Sequence, residues 1–192
     1  YVNNMGKAMA LFIIGKQELE SGMNILGAHI DSPRLDIKQV PLYEDTQMAM
    51  LDTHYYGGVK KYQWVALPLA LHGVFAKTDG TVVPVNIGDK PGDPVFGVSD
   101  LLIHLSGDQM EKKAAKMIEG ENLDVLIGSI PSLAKEEGEA AKEAVKKNIL
   151  RILKETYGVA EEDFLSAEIE VVPAGEARDY GFDRSMVMGY GH

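Results

Sequence analysis

The 192 residues are 45% apolar, carry 19 basic against 29 acidic side chains for a net charge of −10, and include no cysteine. That length suffices for one substantial core or two small ones. An acidic surface repels phosphate backbones and argues against nucleic-acid binding, and the lack of cysteine excludes disulfides, thiolate nucleophiles and cysteine-bound zinc. A metal site would have to use imidazole and carboxylate, the donors of catalytic zinc, manganese and cobalt centres. Apolar runs such as Trp64 to Leu71 fall well short of the ~20 residues of a membrane span, so no membrane association is expected. Tyr1 opens no charged-then-apolar leader, and a cytoplasmic location is the expectation.

In chain order, Ala8 to Gly15 and Met23 to His29 are short apolar runs bounded by glycine, the pattern of buried strands, with a polar turn over Lys16 to Gly22 between them. Leu35, Ile37 and Val40 predict a further extended piece. Trp64 to Ala76 is rich in strand formers, Lys77 to Gly80 supplies a turn with Asp-Gly at its tip, and Thr81 to Ile87 returns as a strand. Pro84 places that return at an edge or a bulge. Gly88 to Gly97 reads as a loop and Val98 to Leu105 as a short apolar element.

From Ser106 the apolar period changes. Ser106 to Glu119 predicts one short helix, and Glu136 to Tyr157 a longer one. Its buried face is expected to carry Ala141, Val145, Ile149, Ile152 and Leu153, with Gly158 as the stop. Ala167 to Val172 alternates as a strand before Pro173. The fold class is α/β with an all-β insertion, not a simple doubly wound sheet.

The segment Gly27-Ala28-His29-Ile30-Asp31-Ser32-Pro33 holds the most chemistry. In extended backbone His29 and Asp31 project to one side, which suits a metal-ligating imidazole oriented by a neighbouring carboxylate. Spacing alone favours the other reading, a His in a strand-end turn with Asp capping the local backbone. Asp52 and His54 show the same pair reversed, where metal ligation is the weaker alternative to a structural role. His72, inside an apolar strand, is expected in the core or at an interface. Arg178, Asp183 and Arg184 are expected to make local salt bridges.

The run GAHIDSPRLD resembles the metal-binding signature of the aspartyl aminopeptidase family, dinuclear zinc exopeptidases that remove acidic N-terminal residues. DTHYYGGVKKYQW (52–64), DPVFGVSDLLIHL (93–105) and VVPAGEARDYGFDRSMVMGYG (171–191) resemble the bacterial branch of the same family, in the same order. The resemblance implies that His29 is a metal ligand and Asp31 the acid that orients it. It implies that His104 is the His presented to a neighbouring subunit's site, where it steadies the substrate carbonyl oxygen. Two Zn2+ per intact subunit are implied, with Mn2+ or Co2+ as alternatives, and peptides as substrates.

The resemblance also implies a division of the chain. Residues 1–42 belong to part of a zinc-exopeptidase α/β catalytic domain, 43–157 to an inserted, mainly-β dimerisation domain carrying helices, and 158–192 to the return into the catalytic domain. The insertion would build closed homo-oligomers. The family's bridging Asp, its paired glutamates, a further carboxylate and a last His match no position up to His192, so this stretch alone is expected to be inactive. The alternative function is a non-catalytic assembly piece of that enzyme.

Overall fold

The computed structural model describes residues 1–132 and 142–190, which divide into two compact units, Tyr1–Ser32 and Pro33–Tyr190. In the first unit, strands β1 (Val2–Asn4) and β2 (Ala8–Ala10) form an antiparallel hairpin, and a 3-10 turn covers Leu19–Ser21. The hairpin turn is held by the Gly6 amide donating to Asn3 Oδ1 at 2.7 Å. The expected buried strands over 8–15 and 23–29 are not found. Only Ala8–Ala10 is strand, and Phe12, Ile13, Ile14, Ile25 and Leu26 are 72–98% exposed. Such runs alternate with no polar face, so they settle as buried strands only when chain covers both sides. No part of this unit does so.

The second unit is one antiparallel sheet of six strands: β3 (Arg34–Asp45), β4 (Met48–Tyr56), β5 (Leu69–Ala76), β6 (Val82–Ile87), β7 (Val125–Gly128) and β8 (Ala167–Pro173). Their spatial order is β6-β5-β8-β3-β4-β7. The stretch 96–98 then bridges the two sides: Phe96 exchanges backbone hydrogen bonds with Leu69, and the Leu126 amide donates to Gly97. The sheet therefore curls from β5 round to β7, leaving β6 outside at an edge. Pro84 sits on that edge strand as expected, where its missing N–H costs no ladder bond. A small hairpin of β9 (Arg178–Tyr180) and β10 (Met186–Met188) follows.

β3 passes through residues 42 and 43, and β8 lies beyond residue 157. The sheet thus draws on all three segments read from the sequence. Between them, β5 and β8 pair over seven positions from Leu69↔Pro173 to Phe75↔Ala167. Gly73 permits this close pairing at φ +146, where a Cβ would collide with the Glu168 carbonyl and the Ile169 backbone.

Alternation supplies the core. Leu35, Leu51, Leu71, Phe75, Ile169 and Val171 face inward at 9% exposure or less, each fully buried aliphatic side chain stabilising by about 1.5–3 kcal/mol. Phe75 and Phe164 meet edge to face at 5.0 Å. Buried Thr53 donates from Oγ1 to the Leu123 carbonyl. The Tyr43 hydroxyl donates to Asp124 at 2.5 Å, and its ionisation is pushed up by burial and by that carboxylate.

Helix α1 (Gly107–Met110) and helix α2 (Ala114–Met117) replace the single helix expected over Ser106 to Glu119. The backbone opens at Lys113 (ψ 143) because buried apolar contact is made only at the far end: Ile118 is buried while Met110 is 56% exposed. Helix α3 (Ala144–Tyr157) matches the C-terminal part of the longer expectation; residues 136–141 of that expectation, Ala141 among them, lie outside the described residues.

Val145, Ile149, Leu150, Leu153 and Tyr157 pack against the core, whereas Ile152 is 40% exposed. The stripe leans to the Leu150 side, a rotation that a count of apolar spacings leaves open. Gly158 at φ +65 stops the helix, with its amide on the Lys154 carbonyl and the Val159 amide on that of Leu153. At the other end Glu44 Oε2 accepts the Val145 and Lys146 amides at 2.9 and 3.0 Å, an anion at a helix N-terminus.

Trp64 is not in a strand. It ends the 3-10 turn Lys61–Gln63, is buried to 7% exposure and meets Tyr190 edge-on at 6.1 Å. Pro68, lacking an N–H, delays β5 to Leu69.

Candidate functional site

The signature GAHIDSPRLD is divided between the units. Its first part, through Ser32, belongs to the first unit, where His29 and Asp31 are exposed on backbone outside any strand. Its last part seats the chain in the sheet. Leu35 is fully buried, and Arg34 Nε reaches Asp36 Oδ1 at 2.7 Å and Glu170 Oε1 at 3.0 Å. The Arg34 guanidinium lies 4.2 Å from the centroid of the Tyr56 ring, a stacked cation. Pro33 rests against Gly57. The Arg-x-Asp end of the signature and the Tyr55-Tyr56-Gly57-Gly58 run are therefore one anchoring device, visible only once β3 and β4 are paired.

Asp52 and His54 take structural partners. Asp52 Oδ1 receives Lys38 Nζ at 2.7 Å, and the His54 ring stacks on Tyr55 at 5.3 Å. His72, expected in the core or at an interface, is half-buried on β5 with Nε2 2.8 Å from Asp89 Oδ2, while Asp89 Oδ1 accepts the Gly175 amide. Arg184 pairs with Asp179 at 3.6 Å, a local salt bridge as expected, whereas Asp183 accepts from the amide and hydroxyl of Ser185, a local contact of a different kind.

His104 belongs to the second unit, in the 3-10 turn Ile103–Leu105. The turn forms because the Leu105 amide donates to Leu102 at 2.8 Å and buried Ser106 returns both its amide and its Oγ to the Ile103 carbonyl. His104 is exposed, and so are Leu101, Leu102, Ile103 and Leu105, at 54–71%. Four bare aliphatic side chains beside one imidazole are unusual on a solvated surface.

A family model described as aminopeptidase I zinc metalloprotease (M18) matches residues 1–192. The chain belongs to the peptidase M18 family. This M18 chain is 66% identical over 191 residues to the probable M18 family aminopeptidase 1 of Clostridium acetobutylicum, covering 100% of itself and 40% of that protein. It is 53% identical to the counterpart from Thermotoga maritima, over 41% of its length. The crystal structure of aminopeptidase I from C. acetobutylicum superposes with a TM-score of 0.78 at 62% identity, over 92% of this chain and 38% of that one. The T. maritima M18 aminopeptidase gives 0.77 at 54%, over 88% and 36%. The M18 chain thus spans about two-fifths of the length of these relatives.

The family description names zinc. Among the described residues, no group of three or more His, Cys, Asp or Glu is placed to hold a metal ion. A catalytic zinc takes about three protein ligands, so the described residues alone do not fit a complete zinc site. Among the described residues no helix is long and apolar enough to cross a membrane.

Proposed function

We propose that this chain supplies two parts, the His29–Asp31 pair and the His104 turn, to a metal-dependent M18 aminopeptidase that removes N-terminal residues, acidic ones by preference, from peptides in the cytoplasm. The observation that carries it is the match to aminopeptidase relatives along the whole chain. His29 is assigned as one metal ligand. Asp31 is assigned to orient its imidazole, the usual role of a carboxylate beside such a ligand. The remaining donors for zinc, or for manganese or cobalt, are assigned to the part of the M18 polypeptide that this chain does not span. His104 is assigned to donate a hydrogen bond to the carbonyl oxygen of the bond being cleaved, as charge develops there.

An exposed His ringed by exposed Leu101, Leu102, Ile103 and Leu105 supports contact with a second copy of the chain, which would cover the aliphatic groups and receive the imidazole. Assembly is assigned to the β insertion, 43–157, and makes the enzyme a homo-oligomer. A second reading has a specific observation in its favour: with no three-donor group among the described residues, the stretch by itself acts as an assembly piece without turnover.

The activity is tested with the full-length protein carrying this sequence and a peptide panel differing only in the first residue. Stepwise release from the N-terminus, fastest for Asp and Glu and stopped by a chelator, is expected; internal cleavage or no cleavage would refute the assignment. Assembly is read by sedimentation velocity at high micromolar concentration. Dimers or larger species are expected, and a monomer alone would remove the partner role from His104.

A further inference from the structure

We propose that Asp100 and Gln109 are positioning residues: together they clasp the two ends of the turn that bears His104 and fix where its imidazole stands. The proposal rests on the role assigned to His104 above and adds the device that makes this role geometrically possible.

The turn has no packing of its own to hold it. Leu101, Leu102, Ile103 and Leu105 are all exposed, so their side chains do not fix the backbone. Hydrogen bonds at its two ends do. On the C-terminal side, buried Ser106 accepts the Met110 amide at 2.8 Å and donates through Oγ to Ile103 at 3.1 Å, tying the turn to α1. On the N-terminal side, Asp100 Oδ1 accepts two donors, the Leu101 amide at 2.8 Å and Gln109 Nε2 at 2.9 Å. Asp100 and Gln109 stand on opposite sides of His104 in sequence, so one carboxylate oxygen closes the loop across its neck. Val98, just before the neck, is buried at 3% exposure and carries the Ala66 amide on its carbonyl. Within its own chain the turn therefore projects from a fixed base, tied at one end by Ser106 and at the other by the Asp100–Gln109 clasp.

What lies beneath the clasp gives it consequence. A cleft of about 370 Å³ is lined by Asp100, Leu101, Gln109, Lys112 and Ile118. Once the clasp is cut, that space lets the N-terminal arm of the turn shift, and His104 with it. A hydrogen-bond donor to a developing oxyanion works only within a few tenths of an ångström of its place, and a displacement of about 1 Å can lower a rate by about 10²-fold.

The geometry uses one oxygen of Asp100 as a double acceptor and makes no demand on the negative charge. That separates the clasp from an electrostatic role. In the full-length protein, Asp100→Ala is expected to lower kcat about tenfold or more with KM unchanged, because the substrate is bound elsewhere. Asp100→Asn keeps an acceptor oxygen and is expected to retain most of the rate. Gln109→Ala should reproduce Asp100→Ala, and the double variant should be no worse than either alone. Hydrogen exchange on the same proteins should show faster exchange at Leu101, Leu105 and Ser106 in the alanine variants only.

Asp100→Ala with parental kcat, or Asp100→Asn falling as far as Asp100→Ala, would overturn the proposal. Full turnover by His104→Ala would overturn it from the other side, by removing the role of the residue being positioned. Faster exchange of the turn in the Asp100→Ala and Gln109→Ala proteins than in the parent would then locate the failure in that role and not in the clasp.

Discussion

His29→Ala in the full-length protein is expected to lose turnover by about a thousandfold or more and to retain less zinc than the parent after dialysis. A metal contributes several kcal/mol of charge stabilisation to peptide hydrolysis, and each 1.36 kcal/mol is a factor of about ten in rate. Removing one of about three protein ligands forfeits much of that. Asp31→Asn should fall between the two proteins, about 10–100-fold down, because a group that orients a ligand is worth that much in activity or metal affinity. Within the described residues His29 and Asp31 are exposed and lie outside any strand, and a circular dichroism spectrum matching the parent's is expected for both full-length variants. Equal zinc content and equal rates for His29→Ala and parent would return His29 to the plain alternative, a His at a turn.

His104→Ala is expected to lower kcat by about 10²–10³-fold, the usual cost of deleting one donor to a developing oxyanion, while zinc content stays at the parental level. The two histidines therefore separate by assay: one changes metal and rate together, the other changes rate alone. His104→Gln, which keeps an N–H donor, should recover part of the loss. His104 and its neighbours stand outside the core of their own chain, so parental assembly in sedimentation velocity is expected for His104→Ala alongside the lost rate. Parental rates for His104→Ala would mean that the exposed turn serves only contact between copies.

Much of the sheet was legible in the sequence because alternation and turn chemistry speak locally. The Asp79-Gly80 tip is found as expected, with the Thr81 amide on Asp79 Oδ1. Pro84 marks an edge, and Gly158 ends α3. What was not legible depends on partners distant in the chain. The runs over 8–15 and 23–29 look like buried strands, but only covering chain can make them so, and in their own unit they stand exposed.

The helix expected from Ser106 breaks at Lys113 because only the Ile118 end meets a core. Glu44 caps α3 from about a hundred residues away, a pairing no local pattern announces. In the candidate site, His29, Asp31 and His104 came from four ordered motif resemblances, whereas spacing alone favoured a structural turn for His29. The Arg34–Glu170 pair and the Asp100–Gln109 clasp became visible only once the strands and turns were placed.

The most direct test is to mix two inactive full-length proteins, His29→Ala and His104→Ala, after dissociation and reassembly. If each site takes its metal ligand from one subunit and its oxyanion donor from another, a mixed pair contains one site with both histidines intact. Random pairing then restores about a quarter of the parental activity, since half the pairs are mixed and half their sites are whole. Recovery near that level is the predicted result. A mixture as inactive as its components would show that the two histidines do not meet across subunits, and would contradict the assignment of this chain's two parts to one shared site.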